Sequence, residues 1–565
     1  MMQSITRREA LTRIAALGGS APFIKAMGAL GLMSVSGNAY SGAVCSDLDD
    51  VPGDIGKGKT VAIIGAGLSG LVTAYELSGL GFECHVFEAD KRAKGRTFTV
   101  RPDGGPDSYY QEVGRAREVC AFDEVDGPGS LYFEAGAGRI PSHHRTVLHY
   151  CRQFDVPLES YIFASRQNLV RSDDFNDGKP VQLRRFKHNL RGYLAEMFRT
   201  ADSSRLDGML SEQERRQLMD ELSQSFGQLD EQFEYHGGAR AGYQPPGPGA
   251  GNQQGEYWKP FAFADLLQGK SIWKEPLYND MYIDWQTSLM QPKGGIDNIA
   301  AAFLRQPVGN GQRVGNRVRL QRKVVSVEVA SAAGKVGIIH QGVDTAGNPL
   351  PGSQEQFIAD YCVSTIAPSL LHAVRNNFDA DFSGALLNGV SNVPACKVAW
   401  QCDRFWEGDD YAIYGGISWT SDPISQIWYP STGFHNQRGI LTGGYANGVP
   451  NATVHFGDLS RAERIKTALA QGIKLHPELD PRYGYHDVSK ALTIAWHNMP
   501  FQAGGWFEVT EDQRKCGYQV LLRGQGGRLF MGGDAMSYLP GWMEGALSAG
   551  RMAAGNVVDA VRSPA

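Results

Sequence analysis

The sequence predicts an α/β protein, α+β overall, built on a Rossmann-type dinucleotide-binding domain. Three observations carry this. A glycine-patterned strand, turn and helix lead to a second strand that ends in an acid, all between about Lys59 and Asp90. A short apolar run, Asp360-Tyr361-Cys362-Val363-Ser364-Thr365, reads as a buried strand entering a polar turn. Near the C-terminus, Arg528-Leu529-Phe530-Met531 runs into Gly532-Gly533-Asp534, and Gly541 to Val558 is helix-like. The dinucleotide domain is therefore expected to be discontinuous, its last strand and helix supplied from the far end of the chain.

The first unit is the most specific. Val61 to Gly70 reads Val-Ala-Ile-Ile-Gly-Ala-Gly-Leu-Ser-Gly, a helix is expected over Leu71–Leu80, and His85-Val86-Phe87-Glu88 closes the second strand. Gly65 permits the tight turn, Gly67 lets the backbone approach a pyrophosphate, and Gly70 lets the helix pack on the strand. The helix N-terminus offers free N–H groups to phosphate oxygens. An acid about 20 residues past the glycines, here Glu88, is placed to accept from ribose hydroxyls. The motif does not by itself separate FAD from NAD.

The 565 residues allow two or three domains and a large core. A net charge of -5 argues against a nucleic-acid binder, which carries a basic excess. The 8 cysteines are scattered without a C-x-x-C pair, so neither a zinc site nor a redox dithiol is indicated and no metal is expected. Cys84, in a predicted buried strand, reads as a small core residue.

The N-terminus, residues 1–50, is read as a signal-like segment or arm. Thr6-Arg7-Arg8-Glu9-Ala10-Leu11 precedes a weakly apolar stretch from Ile14 to Val35 and small residues at Gly37-Asn38-Ala39. This resembles a twin-arginine export signal and implies the periplasm or secretion, with the cytoplasm if it is not processed. Pro22 and Lys25 argue against a membrane-spanning helix. Further on, residues 185 to 235 read as charged amphipathic helices, with Leu190, Leu194, Met197 and Phe198 at helical spacing. Ala241 to Gly255 is a Pro/Gly loop expected to be mobile. Arg317–Val329 and Lys335–His340 alternate like a hairpin.

Taken together, these blocks resemble the flavin-dependent amine oxidase superfamily, in particular its L-amino-acid oxidase and tryptophan 2-monooxygenase branch. After the dinucleotide fingerprint come Lys94-Gly95-Arg96, where Lys94 replaces the usual first glycine, and Gly136-Ala137-Gly138-Arg139-Ile140-Pro141. Lys293-Gly294-Gly295-Ile296 follows, then Lys397 with Phe405-Trp406-Glu407. Gly532-Gly533-Asp534 and Gly541-Trp542-Met543-Glu544-Gly545-Ala546 complete the set. The resemblance implies a mixed-sheet substrate-binding domain and a helical insertion beside the FAD-binding domain. The expected division is FAD-binding parts at 55–150, 291–365 and 501–565, a substrate and helical domain at 151–290, and a substrate-binding domain at 366–500.

By the same resemblance, FAD would lie against Gly65, Ala66, Gly67, Leu68, Ser69, Gly70, Glu88, Ala89, Gly95, Arg96, Gly136, Ala137, Gly138, Arg139, Val324, Gly533, Asp534, Gly541, Trp542 and Met543. Val324 matches a valine whose backbone contacts adenine. Asp534 stands where a glutamate is more common. The turn that bears the flavin-linking cysteine in monoamine oxidases is Gly504-Gly505-Trp506 here, so the FAD is expected to be non-covalent. Arg139 matches the arginine that grips a substrate carboxylate, a task for a planar guanidinium. Tyr445 matches a tyrosine that helps hold the same carboxylate, with a half-buried core tyrosine as the alternative. Lys397 matches a lysine that holds a water near the flavin. Trp542 flanks the amino-acid backbone, the Gly541 carbonyl accepts from the amine, and Trp506 lies on the flavin flank.

The implied activity is oxidation of an L-amino acid by O2 to a 2-oxo acid, ammonia and hydrogen peroxide. An amino-acid 2-monooxygenase, an oxidase of simple amines and a non-catalytic flavin-fold binding protein stay open as alternatives. His143 and His144 read as entrance or structural residues. Tyr257, Trp258, Phe261, Phe263, Trp273, Trp285, Trp428 and Trp506 suit a bulky aromatic or aliphatic side chain. Glu256, Asp265, Asp280 and Asp284 leave basic amino acids open. A homo-oligomer, a dimer, is expected.

Overall fold

A computed structural model describes residues 48, 51–124, 130–200, 210–330, 334–447 and 449–562. The twin-arginine segment lies outside the described residues. The glycine-patterned unit forms β1 (Thr60–Ile64), α1 (Leu68–Gly79) and β2 (Glu83–Phe87). The helix starts three residues earlier than the sequence predicts. Gly67 takes the N-cap position with extended backbone, so Leu68, Ser69 and Gly70 already belong to the first turn. Two glycines make this turn possible. Gly65 has φ +99, and a Cβ on Gly70 would lie 2.0 Å from the Gly65 carbonyl oxygen.

Helix α2 (Arg145–Gln153) follows, then β3 (Val318–Arg319), β4 (Tyr361–Ser364), β5 (Leu529–Met531) and α3 (Met543–Arg562). The five strands form one parallel sheet in the order β3-β2-β1-β4-β5. Its centre reads as continuous apolar runs because both faces are covered. Val61, Ala62, Ile63, Cys84, Val86, Cys362 and Val363 are fully buried.

The expected hairpin is corrected at its start. Residues 318–319 join the parallel sheet as β3, and the hairpin proper pairs Arg322–Ala330 with Lys335–Gly342. This hairpin belongs to a four-stranded sheet with 355–359 and 375–376. Its register shifts between Val324 and Ser326, a bulge that leaves local backbone groups out of the ladder.

A seven-stranded mixed sheet forms the other layer. Its order is 486–495, 396–403, 438–446, 426–429, 416–420, 169–171 and 181–182. Against it packs the helix Leu183–Thr200, whose Phe186 joins Phe163, Phe175 and the sheet's own Trp419 in one aromatic cluster. The predicted apolar stripe of that helix is only partly turned inward. Leu190 is buried, but Met197 and Phe198 are exposed. The Pro/Gly stretch is an irregular loop whose ends meet in a bridge between Tyr243 and Tyr257. No helix among the described residues is long and apolar enough to cross a membrane.

Candidate active site

A cavity of about 400 Å³ runs from the glycine turn of β1 to the start of α3. Its wall contains Gly65, Gly67, Leu68, Ser69, Glu88, Ala89, Gly95, Arg96, Gly136, Ala137, Val324, Gly533, Asp534, Gly541, Trp542 and Met543. Lys397, Tyr445 and Trp506 line its far end. Four residues expected against the cofactor are absent from that wall. Ala66 is buried behind the turn, where its N–H donates to Glu88 at 2.6 Å. Gly70 faces the Gly65 carbonyl. Gly138 and Arg139 lie past the end of the cavity, toward Trp428.

The cavity has the features that a dinucleotide needs. Gly95 has φ +54, and its Cβ would lie 3.2 Å from Gly67 Cα, so side chains at this crossing would fill the cradle. Burial pushes the Glu88 carboxyl up to about 7, against backbone N–H bonds from Ala66 and Asp90 that favour its charge. A buried acceptor of this kind suits ribose hydroxyls. At the other end Met543 opens α3, and the first N–H groups of a helix have no intrahelical acceptor. Asp534 accepts from Arg96 Nη2 and, at 3.0 Å, from Gly541 N, which fixes the loop before α3. Glu544 turns away and caps α2, accepting from Thr146 N at 3.0 Å and Val147 N at 2.9 Å. No cysteine is among the residues that line the cavity.

The mixed sheet brings the two polar residues of the far end together. Lys397 and Tyr445 are direct partners on adjacent antiparallel strands, so both side chains leave the same face. The Lys397 ammonium is nearly buried. Its Nζ donates to the carbonyls of Glu134 at 2.9 Å and Gly136 at 2.6 Å, and lies 4.9 Å from the ring centres of Trp428 and Tyr445. Burial lowers its pKa to about 7, eased by Glu134 and reinforced by Arg139. An ammonium has a third donor, available to a water or a reacting group. The two carbonyl bonds also hold the 134–139 segment that carries Arg139. Trp496 Nε1, donating to Ala135 O at 2.8 Å, holds it from the turn that follows the 486–495 strand.

Arg139 is boxed by aromatic rings. Its guanidinium carbon lies 4.4 Å from the Trp428 ring centre, 5.1 Å from Phe163, 5.3 Å from Trp285 and 5.9 Å from Trp542. Nη1 is buried and makes no hydrogen bond. A guanidinium in this setting is costly until an anion meets it. Of the eight aromatic residues considered from sequence, Trp285, Trp428 and Trp506 reach the site. Tyr257 is exposed, Trp258 stacks on Arg185, and Phe261, Phe263 and Trp273 pack against the aromatic core cluster.

Sequence reasoning missed Thr97, Arg322, Thr365, Phe501 and Gln502 on the cavity wall. No motif includes them: Thr97 falls just past Lys94-Gly95-Arg96, and Arg322, Thr365 and the Phe501-Gln502 pair come from three other segments that only the fold brings together. The sequence suggests an entrance or structural role for His144. It is fully buried, its ring 4.9 Å from Trp542 at near-perpendicular angle.

A family model described as flavin containing amine oxidoreductase matches residues 68–558. The putative L-amino-acid oxidase YobN of Bacillus subtilis (strain 168) is 24% identical over 505 residues, covering 87% of this chain and 93% of that protein. The flavin-dependent L-tryptophan oxidase RebO of Lentzea aerocolonigenes is 25% identical over 510 residues, covering 86% and 96%. Among solved structures, cyclohexylamine oxidase from Brevibacterium oxydans IH-35A superposes with a TM-score of 0.54 at 14% identity, over 89% of this chain and 99% of that one. Putrescine oxidase bound to putrescine gives 0.53 at 15% identity, with the same coverage. At these identities the structures speak for the fold alone.

Proposed function

The chain belongs to the flavin-containing amine oxidoreductases, with FAD as cofactor, and on that premise we propose that it oxidises an L-α-amino acid at Cα. The observation that carries this reading is Arg139. A simple amine would leave its buried, unbonded Nη1 uncompensated, whereas a substrate carboxylate would satisfy it bidentately.

Bound along the cavity, FAD would supply a two-electron acceptor for the Cα hydride, with O2 as the final oxidant and hydrogen peroxide as its product. The chain supplies the geometry. Arg139 and Tyr445 hold the carboxylate, and Trp542 closes one side of the amino-acid backbone. The Gly541 carbonyl accepts from the amine and orients it, and the hydride leaves from the neutral amine form. Orientation of this kind contributes up to roughly 7–11 kcal/mol to barrier lowering. Lys397, held by two carbonyls, keeps one N–H for a water at the reacting end. The imino acid released hydrolyses to a 2-oxo acid and ammonia.

The test is anaerobic mixing of the yellow holoprotein with L-phenylalanine, L-tryptophan, L-arginine, L-glutamine, D-phenylalanine and phenylethylamine. Bleaching by L-amino acids alone is the expected result, with peroxide and a 2-oxo acid formed when air returns. Bleaching by phenylethylamine at the same rate would overturn the carboxylate assignment. An amide product in place of the 2-oxo acid would make the enzyme a monooxygenase.

A further inference from the structure

Beside Trp542 lies a cluster that the proposed reaction does not use. His143 Nε2 is 2.7 Å from Asp284 Oδ1, and His144 Nε2 is 3.4 Å from the same oxygen. The candidate ligand atoms of the three residues all lie within 4.8 Å of one another. The His144 ring is buried with Nδ1 unpartnered, and its Nε2 meets only the long 3.4 Å contact with Asp284. A buried imidazole carries one donor and one acceptor and normally has both satisfied.

We propose that His143, His144 and Asp284 form a binding site for a divalent first-row transition ion, with Zn2+ the species that fits. Two imidazoles and one carboxylate are the ligand set of three-residue zinc centres that keep a fourth position open. Tetrahedral bonds of about 2.0–2.1 Å separate ligand atoms by roughly 3.3–3.4 Å. The His144–Asp284 separation already has that value, and the His143–Asp284 pair would open by about 0.6 Å from its hydrogen-bonded distance. The sequence leads to the expectation of no metal because it looks for cysteine pairs. This donor set instead joins residues about 140 apart in the chain.

The site is built before any ion arrives. Ser142 Oγ donates to Gln286 Oε1 at 2.8 Å, and Ile140 pairs with Met290, so the two ligand-bearing segments are tied on both sides. The His143 and Asp284 side chains are 19% and 24% exposed, which leaves an entry path, whereas the His144 side chain is fully enclosed. The His144 ring meets Trp542 edge-on, so an ion held there would restrain the indole at the cavity. This places the ion as a control on the site rather than as the redox centre.

The test uses the full-length, FAD-loaded chain titrated calorimetrically with ZnCl2 and, separately, with CoCl2 followed by its visible ligand-field bands. One Zn2+ per chain and a tetrahedral Co2+ spectrum erased by Zn2+ are expected. His143→Ala and Asp284→Asn should each weaken binding by more than the roughly 10–100-fold that loss of an outer-sphere partner costs. Asp230→Asn, in the separate group of Asp230, Glu234 and His236, should leave this binding unchanged. Both cluster variants carry partly exposed side chains, and their FAD content and Tm report folding. No stoichiometric Zn2+ on the wild-type protein would overturn the proposal. So would folded His143→Ala and Asp284→Asn variants that bind Zn2+ as tightly as wild type, or binding abolished by Asp230→Asn alone.

Discussion

Arg139→Ala should separate carboxylate recognition from cofactor binding. In the folded protein the guanidinium is walled by Trp428, Phe163, Trp285 and Trp542, and Nη1 has no protein partner. A substrate carboxylate entering that box would gain two parallel charge-assisted bonds, each worth about 1.5–3 kcal/mol. Their loss, about 3–6 kcal/mol, lowers kcat/KM for L-phenylalanine by roughly 10²–10⁴-fold. Arg139→Lys keeps the charge but not the fork or the flat stacking face, and should fall between the two. The assay is stopped-flow bleaching of the flavin without oxygen, across substrate concentration, with phenylethylamine run in parallel. Arg139 is absent from the cavity wall, so both variants should keep the wild-type flavin spectrum. Flavin reduction by phenylethylamine, negligible in the wild type, should be unchanged or faster. If Arg139→Ala were reduced by low L-phenylalanine as fast as wild type, the carboxylate reasoning would fail.

The Glu88 carboxyl, ordinarily 4.5 and pushed up to about 7 by burial, holds a proton in the folded chain across that interval which the unfolded chain has lost. Apoprotein stability should therefore fall as pH rises between the two values. FAD retention should strengthen over the same interval, because ribose hydroxyls donate best to the ionised acid, and Glu88→Gln should flatten both slopes in denaturation and flavin-release titrations. Gly70→Ala puts a Cβ 2.0 Å from the Gly65 oxygen, so this variant should purify colourless or insoluble, and a yellow protein with normal Tm would contradict the close approach. Arg464, 1% exposed, pairs through two 2.6 Å bonds with Glu112, 3% exposed. Arg464→Met leaves the buried Glu112 carboxylate with only Arg115 Nε at 3.1 Å and Ala495 N at 2.8 Å, and should cost up to about 3–5 kcal/mol in denaturant unfolding.

The legible parts of this chain are those whose constraints are local. Gly65, Gly67, Gly70 and Glu88 sit within one βαβ unit, so backbone sterics write themselves into neighbouring residues. The strand at 318–319 was hidden because two residues carry no periodicity. Only pairing with Val86 and Phe87 makes them part of the parallel sheet. The box around Arg139 was hidden for a related reason. Trp542 is marked by its motif, but Phe163, Trp285 and Trp428 come from three other distant segments, and composition does not tell them from Trp258, which stacks on Arg185, or Trp273, which joins the same cluster without reaching Arg139.

Lys397 shows how a motif match and a geometry differ in what they license. The match offers a lysine beside the flavin, but the sheet register gives it a partner, Tyr445, and two carbonyl acceptors on the segment that bears Arg139. Burial lowers its pKa to about 7 from an ordinary 10.5. Between those values the unfolded chain holds a proton that the folded chain has released. Stability should therefore rise with pH through the interval, by at most roughly 5 kcal/mol, since the carbonyl bonds favour the charged form. Lys397→Met should remove that slope in urea unfolding of the apoprotein and slow turnover of the holoprotein. An effect confined to the flavin's reaction with oxygen would assign Lys397 to the held water. A loss that tracks KM for L-phenylalanine, as for Arg139→Lys, would assign it to positioning the 134–139 segment. A stability slope unchanged by Lys397→Met would mean that the ammonium stays charged in its buried seat.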